Sequence, residues 1–465
     1  MNIKNSGSKK KEVLHITPHL GGGVGRVLLN YFTKVKDDQF FVHNVACLDY
    51  ANEHALEIAN HIGFKLTDKM AGQRQQLLAM IARADIVLIH WWNHPLLYDF
   101  LVRTALPPCR MVMWSHISGF HPPYVFTSKV FRYPDLFVFT TPVSYETKEV
   151  QDLPDVIKRK LRVVWSTGGV KHVENIKPRT HKNFNVGYIG TVDYCKLHPD
   201  FLDMCSRVDI KDVHFVVCGG SKEKDIQRQA QGLGIDRKFT FTGLVGDIAE
   251  YLPDFDVFGY PLAAYHYGTC DQVLAESLAC GVVPVVLSNR MEQQMVKDGL
   301  TGIVVNTKEE YIQALKKLYT DRELRMRLSQ NAKEYARKTF SLDSLKHEWQ
   351  KLFEEVLMSP KIVKEWEIGR SNEEISAKDI FIESLGKYGQ EFLAYCNAAN
   401  DREQGMSFKR IQELATSPVW QARTRGTVHH YHEFFPEDDH LALWSRAMKE
   451  CELYNNVEGR CRKIH

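Results

Sequence analysis

One acidic residue, Glu276, lies on a short predicted helix just after a glycine-containing loop. The sequence predicts this helix over Gln272 to Cys280, because these residues favour helix and Gly281 is placed to end it. Leu274 and Leu278 share one face, and Glu276 lies about 200° away around the axis, so its carboxylate should point away from the packed side. A carboxylate there can hold sugar hydroxyls, while the helix N-terminal amides hold phosphate. The alternative is a solvated glutamate on a surface helix.

The residues that follow Glu276 carry a resemblance to a known family. The run Glu276-Ser-Leu-Ala-Cys-Gly281-Val-Val-Pro284-Val resembles the signature of the retaining glycosyltransferases of family 4 in Glu276, Gly281 and Pro284. The resemblance covers residues 12 to 357 and implies an α/β GT-B fold, in which two Rossmann-like doubly wound domains face each other across a cleft. It also implies that Glu276 hydrogen-bonds the donor ribose and that amides just upstream hold the diphosphate.

The loop before the helix departs from the family pattern. The family carries another glutamate eight residues before Glu276, in contact with the transferred sugar, and here that position is Gly268. The nearest acid is Asp271, and the sequence leaves open whether it replaces the missing one. The other donor-binding positions that the resemblance implies in this region are Thr269, Gln272 and Val273.

A lysine follows the predicted strand that ends at Gly190. In the family, an arginine just after this glycine and a lysine five residues further neutralise the departing diphosphate. Lys196 matches the lysine, and Thr191 stands in place of the arginine. The resemblance therefore implies a catalytic role for Lys196, since a fixed cation stabilises a leaving group that gains charge. The alternative is an ordinary surface lysine.

A glycine-rich loop follows the first predicted strand. It does not fit the dinucleotide-binding pattern G-x-G-x-x-G, because Arg26 occupies the place of the last glycine. The resemblance matches Gly22 and Gly23 with a pair that approaches the donor phosphates and the acceptor. Without a Cβ, these residues would let amides at a helix start approach an anion. The alternative is a tight turn.

Two further stretches match the family. His116 ends a predicted strand where the family often has a histidine near the donor sugar, which implies a second catalytic residue; His90 and His94 end the strand before it, and any of the three can be structural. The run from 239 to 246 resembles the strand and loop beside the nucleobase. Gly243 and the amides around Leu244 would read the base edge there.

Neither candidate metal motif is convincing. Asp254-Phe-Asp256 imitates the D-x-D of the other glycosyltransferase fold, but it directly precedes an apolar strand. The histidines from His429 to His432, with Glu433 and His440, lack both a cysteine and strict H-x-x-x-H spacing. We therefore predict no metal site and no cofactor.

Short apolar runs separated by helical stretches predict two series of parallel β-α-β units. The predicted strands are 12–17, 40–47, 85–90, 110–114 and 136–139, then 185–190, 214–218, 239–243, 257–260 and 282–287. We expect an acceptor-side domain (1–170), a polar interdomain linker (171–183), a nucleotide-sugar domain (184–341), a closing helix (342–358) and a helical C-terminal extension (360–465). Helices are predicted there over 375–396, 407–416 and 440–454, with Trp420 and Trp444 as core anchors and Tyr431, Phe434 and Phe435 in either a core or a partner surface.

Composition limits the class of protein. The 465 residues carry a formal charge of +3, which gives no argument for binding nucleic acid or a membrane surface. The ten cysteines form no C-x-x-C pair and suit reduced thiols. The polar, basic start and the lack of a long apolar stretch lead us to expect a cytoplasmic protein without a transmembrane segment.

These observations favour transfer of a sugar from a nucleoside diphosphate sugar, with UDP-sugars favoured, to the hydroxyl of a glycan, a lipid-linked or another acceptor. The resemblance implies retained configuration without a covalent intermediate, because the departing phosphate oxygen helps deprotonate the acceptor. Self-association through the C-terminal extension is a further expectation. The alternatives are a catalytically silent nucleotide-sugar-binding protein, an epimerase of the same fold, which would need acids in the cleft, and a nicotinamide-dependent oxidoreductase, whose fingerprint is missing.

Overall fold

A computed structural model of the chain describes residues 9–367, 375–422 and 425–457. The described residues form two compact units. Unit 1 takes the ranges Met1–Thr140, Ser144–Val164 and Glu348–His465, and unit 2 takes Thr141–Val143 and Trp165–His347. The first eight residues, part of the predicted acceptor-side domain, and the last eight, part of the predicted extension, lie outside the described residues.

Unit 1 begins with alternating strands and helices, as predicted. The strands are β1 (Lys11–Thr17), β2 (Phe41–Cys47), β3 (Leu66–Thr67), β4 (Ile86–Trp91), β5 (Leu106–Cys109), β6 (Met111–Ser115), β7 (Phe120–His121), β8 (Tyr124–Val125), β9 (Leu136–Phe139) and β10 (Leu161–Val163). The helices are α1 (Gly22–Val35), α2 (Glu53–Ile62), α3 (Arg74–Arg83), α4 (Pro95–Arg103), α5 (Ser128–Arg132), α6 (Lys148–Gln151) and α7 (Asp155–Lys158). Seven strands form one parallel sheet in the order β10-β9-β6-β4-β1-β2-β3. Every residue of β4 and β6 is buried, as expected for a parallel sheet that is covered on both faces.

Unit 2 repeats the arrangement with a smaller sheet. Its strands are β11 (Phe184–Ile189), β12 (Val213–Cys218), β13 (Phe239–Gly243), β14 (Val257–Tyr260), β15 (Val283–Leu287) and β16 (Ile303–Val305). Its helices are α8 (Phe201–Ser206), α9 (Glu223–Gly232), α10 (Gln272–Cys280), α11 (Arg290–Met295), α12 (Lys308–Thr320) and α13 (Arg322–Thr339). The parallel order β13-β12-β11-β14-β15-β16 reverses direction between β11 and β14. Ligands of open α/β sheets bind at the carboxyl ends of the strands at such a switch point.

The predicted linker, residues 171–183, has no helix or strand, but it lies inside unit 2. Arg179 fastens it there: its amide donates to Pro253 O at 2.8 Å, and its guanidinium lies 2.7 Å from the Asp254 carboxylate. The chain instead enters unit 2 between Val164 and Trp165.

The C-terminal part is helical, as predicted, and belongs to unit 1. Its elements are α14 (Leu342–Leu357), which starts in unit 2, then β17 (Ile362–Lys364), α15 (Ala377–Leu385), α16 (Gln390–Cys396), α17 (Asp401–Leu414), α18 (Val428–Phe434) and α19 (Asp439–Val457). The helix predicted over 375–396 is broken after Leu385, where Gly386 has φ +53°. β17 pairs antiparallel with β5. Trp420, Tyr431 and Trp444 are buried, which assigns these three aromatic residues to the core of unit 1 and not to a partner surface.

Within the described ranges, no helix combines the length and the apolar character needed to cross a membrane.

Candidate functional site

Glu276 lies in the middle of α10, and the surroundings of this helix differ from the prediction. All residues from Leu274 to Cys280 are buried, and Glu276 is 0% exposed. The prediction that the carboxylate points away from the packed side is therefore wrong, and so is the alternative of a solvated glutamate. α10 packs against α13 and the sheet, and has no solvent-facing side along this stretch. The predicted end of the helix is confirmed, because Gly281 has φ +84° and its amide donates to Ser277 O and Leu278 O.

A network of side chains holds the Glu276 carboxylate. His172 Nε2 lies 3.0 Å and Gln272 Nε2 3.1 Å from Glu276 Oε1. Gln272 also donates to Gly169 O at 2.8 Å and accepts from the amide of Gly168 at 2.7 Å. The carboxylate is thus held by His172 and Gln272, and Gln272 connects it to the backbone of Gly168 and Gly169.

Lys196 forms the second part of the site. Its Nζ lies 3.2 Å from Asp271 Oδ2, and the two side chains are only 9% and 13% exposed. The same ammonium lies 5.6 Å from the ring centroid of Tyr260 and 5.8 Å from that of Tyr267. The surface-lysine interpretation is therefore wrong, and the structure places a nearly buried cation directly before the first turn of α10.

Asp271 is held in its charged form. Burial acts to raise the pKa of this carboxyl, but the charge of Lys196 and the hydrogen bonds from Tyr260 and Lys196 outweigh it, so the pKa of Asp271 lies below its usual range. Tyr260 Oη donates to Asp271 Oδ2 at 2.8 Å. Asp271 is the N-cap residue of α10 but makes no side-chain cap, so its carboxylate is turned toward the lysine.

The Asp271 carboxylate also fills the space beside Gly268. A Cβ at Gly268 would lie 2.8 Å from Asp271 Oδ1 and 3.0 Å from Oδ2. Any side chain at position 268 would therefore overlap the Asp271 carboxylate in its present position.

A buried pair that the sequence analysis missed supports this loop. His266 Nε2 lies 3.2 Å from Glu292 Oε2, and both side chains are 2% exposed. The amide of Gly268 donates to His266 Nδ1 at 3.0 Å. The ring proton is therefore on Nε2, which donates a hydrogen bond to the Glu292 carboxylate. Nothing in the sequence marks Glu292, which lies on the next helix, although His266 adjoins the loop.

The same pair bears on metal binding. Among the described residues, His266, Asp271 and Glu292 are the group whose potential ligand atoms lie within 4.8 Å of one another. Both ring nitrogens of His266 are engaged, and the ammonium of Lys196 lies beside Asp271. These donors do not fit a divalent cation.

The remaining predicted donor residues of unit 2 lie at or after the ends of β11 and β13, or around the start of α10. Thr191, after β11, shares a hydrogen bond of 2.8 Å between Oγ1 and Tyr267 Oη. Gly190 is closely packed, since a Cβ there would lie 3.0 Å from Tyr188 Oη. Gly243, at the end of β13, has φ +70°, and Leu244 after it is 87% exposed. Two half-buried residues flank the start of α10, Thr269 and Val273.

The predicted glycines of unit 1 begin a helix. Gly22 and Gly23 are the first residues of α1; both are exposed, and a Cβ on either would meet nothing within 4 Å. Gly22 has φ +61°, which explains glycine there. The close packing belongs instead to Gly25, where a Cβ would lie 3.0 Å from the carbonyl carbon of Leu20.

The three candidate histidines of unit 1 have different surroundings. His116 follows β6, is partly exposed, and has its pKa lowered to about 3 by burial of its ring. His90 is fully buried, and its Nδ1 lies 3.2 Å from His116 Nε2. His94 has a structural role, because its Nδ1 accepts from the amide of Leu96 at the start of α4.

Side chains from both rejected metal motifs make other contacts. Asp254 pairs with Arg179, and Asp256 accepts from the amide of Asn185 at 2.9 Å. His429 Nδ1 lies 2.8 Å from Ser445 Oγ.

Comparison with known proteins is consistent with this geometry. Residues 172–335 match the family model described as Glycosyl transferases group 1. No curated protein matches the chain by sequence.

Solved structures resemble the chain over about three quarters of its length. Anabaena Alr3699/HepE in complex with UDP has a TM-score of 0.59 at 14% identity, covering 75% of this chain and 100% of that one. A glycosyltransferase from Rickettsia africae has a TM-score of 0.60 at 11% identity, covering 76% and 100%. The sucrose-phosphate synthase of Thermosynechococcus elongatus has a TM-score of 0.54 at 14% identity, covering 75% and 99%. The chain thus has the GT-B fold, and its residues 172–335 carry the sequence pattern of group 1 glycosyl transferases.

Proposed function

We propose that this chain is a retaining glycosyltransferase of family 4, which transfers a sugar from a nucleoside diphosphate sugar to an acceptor hydroxyl. The observation that carries the proposal is the nearly buried Lys196–Asp271 pair at the start of α10, with the buried Glu276 on the same helix. Burying a lysine and a carboxylate costs free energy, and buried titratable pairs of this kind cluster at functional sites. The match of residues 172–335 to group 1 glycosyl transferases supports the same reading.

In this proposal the donor diphosphate is neutralised by Lys196 and by the amides of Gln272 and Val273. The first amides of a helix lack intrahelical acceptors, and the helix dipole favours an anion there. Because Thr191 replaces the second cation of the family, Lys196 carries most of this charge compensation. Glu276, fixed by His172 and Gln272, accepts hydrogen bonds from the ribose.

Asp271 takes the role of the acid that is missing at Gly268 and contacts the transferred sugar. The overlap of a Cβ at Gly268 with the Asp271 carboxylate supports this assignment. The His266–Glu292 pair holds the loop through the amide of Gly268 and so keeps the carboxylate in place.

A uracil base is the favoured one. Gly243 and the exposed Leu244 offer backbone groups and an apolar surface at the end of β13. The Anabaena protein of the same fold was solved with UDP, which supports a UDP-sugar donor, with a hexose as the sugar transferred.

Chemistry in this proposal needs neither a metal nor a cofactor, because Lys196 and the helix amides supply the positive charge. The departing phosphate oxygen takes the proton of the acceptor, which is a glycan, a lipid-linked or another hydroxyl compound. We assign acceptor recognition to unit 1 and a cytoplasmic location to the protein. The sequence also predicts that Gly22 and Gly23 approach the donor phosphates and the acceptor, and that His116 lies near the donor sugar. Self-association through the C-terminal helices is a further prediction from the sequence.

The test combines binding with product analysis. Thermal shifts with UDP-, GDP- and ADP-sugars should show the largest stabilisation by a UDP-sugar, about 2.7 kcal/mol at a concentration a hundred times its Kd. Mass spectrometry should then detect slow hydrolysis of that donor, and NMR should show that the freed or transferred sugar keeps its anomeric configuration. Binding without any turnover would support the silent-binding alternative, and no binding of any of the three would refute the proposal.

A further inference from the structure

Four histidines in unit 1 form a continuous hydrogen-bonded row. His15 Nε2 lies 2.8 Å from His43 Nδ1, His15 Nδ1 lies 3.0 Å from His90 Nε2, and His90 Nδ1 lies 3.2 Å from His116 Nε2. His90, His15 and His43 lie on β4, β1 and β2, and His116 directly follows β6; these four strands adjoin in the order β6, β4, β1, β2. His15 and His90 are fully buried, and His43 is 6% exposed.

The three contacts restrict where the ring protons lie. A neutral imidazole has one donor and one acceptor, so every contact is satisfied only if all rings point their protons the same way along the row. Two such arrangements exist, and they interconvert when one proton enters at one end, one proton crosses each contact and one proton leaves at the other end. The row therefore has the connectivity of a proton path.

Both ends of the row lie toward the surface of unit 1. His116 is partly exposed. At the other end, His43 lines a cavity of about 80 Å³ together with Lys10, Lys36 and Asn44, and both lysines are exposed. A cavity of this size has room for water, which can accept or deliver a proton.

We propose that His116, His90, His15 and His43 conduct protons through unit 1 between the His116 end and the cavity beside His43. His116 Nδ1 takes up a proton and its Nε2 proton moves to His90 Nδ1. His90 then passes its Nε2 proton to His15 Nδ1, and His15 passes its own to His43 Nδ1. The Nε2 proton of His43 leaves to the cavity, so one proton enters and one leaves. Each passage inverts all four tautomers, and the rings must reorient before a second proton moves the same way.

The four rings are neutral between passages, and the row carries a positive charge only while a proton moves through it. Burial lowers the pKa of His15 and His90 well below the ordinary value, and that of His116 to about 3. Tyr31 packs against His15 and His43, and because burial raises its pKa, its phenol stays neutral and does not trap the charge.

The source of the proton rests on the proposed function. Transfer of a sugar to a neutral hydroxyl yields the glycoside, the nucleoside diphosphate and one proton, which has to reach solvent. With His116 in its predicted place beside the donor sugar, the row offers that proton a path.

Hydrogen exchange tests the path without any substrate. In ¹⁵N-labelled full-length protein transferred to D₂O, we expect the ring protons of His15 and His90 to exchange at least about 10²-fold faster than the amides of Ile16 and Ile89 on the same buried strands. The ring of His430, which is 6% exposed like His43 and accepts from the amide of Gly426, serves as an internal reference outside the row. Ring protons that exchange no faster than the strand amides would overturn the proposal.

Glutamine variants locate the route. Glutamine keeps a donor and an acceptor, but it cannot take a proton on one atom and release it from another. The His43→Gln/His90→Gln variant isolates His15 from both ends, so exchange at His15 should fall to the rate of the amide of Ile16, whereas each single variant leaves one route. Fast exchange at His15 in the double variant would refute conduction along the row.

The use of the path in transfer needs a separate measurement. In His15→Gln we expect turnover of a UDP-sugar to fall about tenfold, with unchanged nucleotide affinity, and to recover when imidazole is added as a mobile proton carrier. Turnover equal to that of the unmodified protein would show that transfer does not use the row. Because the exchange experiment needs no donor, its result stays independent of the proposed function.

Discussion

Replacing Lys196 by methionine should damage both the fold of unit 2 and its chemistry. The ammonium lies 3.2 Å from Asp271, and the side chains are 9% and 13% exposed. Removing one partner of a buried ion pair costs about 3–5 kcal/mol, and the remaining exposure places this pair near 3. For a unit of this size, about 3 kcal/mol lowers the unfolding temperature by about 6–12 °C. Turnover of a UDP-sugar should fall at least about 10²-fold, because the departing diphosphate loses its cation.

The pH dependence of this loss has a defined sign. The pKa of Asp271 is lowered in the folded protein, so the pair stabilises unit 2 above the ordinary aspartate pKa of about 3.9, and this contribution is lost as the pH falls through the lowered value. In Lys196→Met, the ammonium no longer lowers the pKa of Asp271, whereas burial still raises it. Protonation of Asp271 therefore removes the unpaired buried charge as the pH falls. The difference in unfolding temperature between the two proteins should therefore be largest near pH 7 and shrink toward pH 4.

A second buried pair provides the control. Lys364 in unit 1 lies 2.7 Å from Asp135, with side chains 4% and 15% exposed. Lys364→Met should lose comparable stability by calorimetry but keep nucleotide affinity and turnover. The reasoning fails if Lys196→Met unfolds within about 2 °C of the unmodified protein and turns over donor equally well, or if both variants lose turnover alike.

Three further outcomes are expected. Glu276→Gln should weaken UDP-sugar affinity roughly ten- to a hundredfold by calorimetry, since a charged acceptor at the ribose is lost; unchanged affinity would remove Glu276 from the donor site. EDTA should leave turnover unchanged, whereas complete inhibition that Mn²⁺ or Mg²⁺ reverses would assign a metal to the group around His266. A chain ending at Ser359 should lose the unfolding transition of unit 1 in calorimetry, because β5 loses its partner strand, while still binding nucleotide sugar; loss of that binding would show that the C-terminal helices support unit 2.

Elements with strong local patterns were predictable. The strands β9, β13 and β14 and the helix α10 have the predicted bounds, because apolar runs and a terminal glycine mark them locally. The burial of Glu276 was not predictable from the same pattern. A helical period assumes one face toward solvent, and α10 has none along its buried stretch.

Features that depend on distant pairing escaped the sequence analysis. β5 contains Pro107 and Pro108, and prolines in a sequence indicate a loop more than a strand. Its partner β17 comes more than 200 residues later. The histidine row escaped for the same reason, since only the strand order brings His15 and His90 together. The acid at Asp271 was visible as a candidate, but its overlap with position 268 required coordinates.

The chain order of the units has a consequence for synthesis. Unit 1 includes segments before and after unit 2, so unit 2 is synthesised completely before residues 348–465 of unit 1, about 120 residues, are made. At about 5–20 residues per second, this interval lasts about 6–24 s. During it, unit 1 lacks Trp366, whose ring packs against Tyr98 of α4. It also lacks α15, where Ser384 O accepts from Asn93 Nδ2. The nascent chain therefore carries a finished unit 2 beside an apolar, unfinished unit 1, and that interval is when chaperone binding would matter most to this protein.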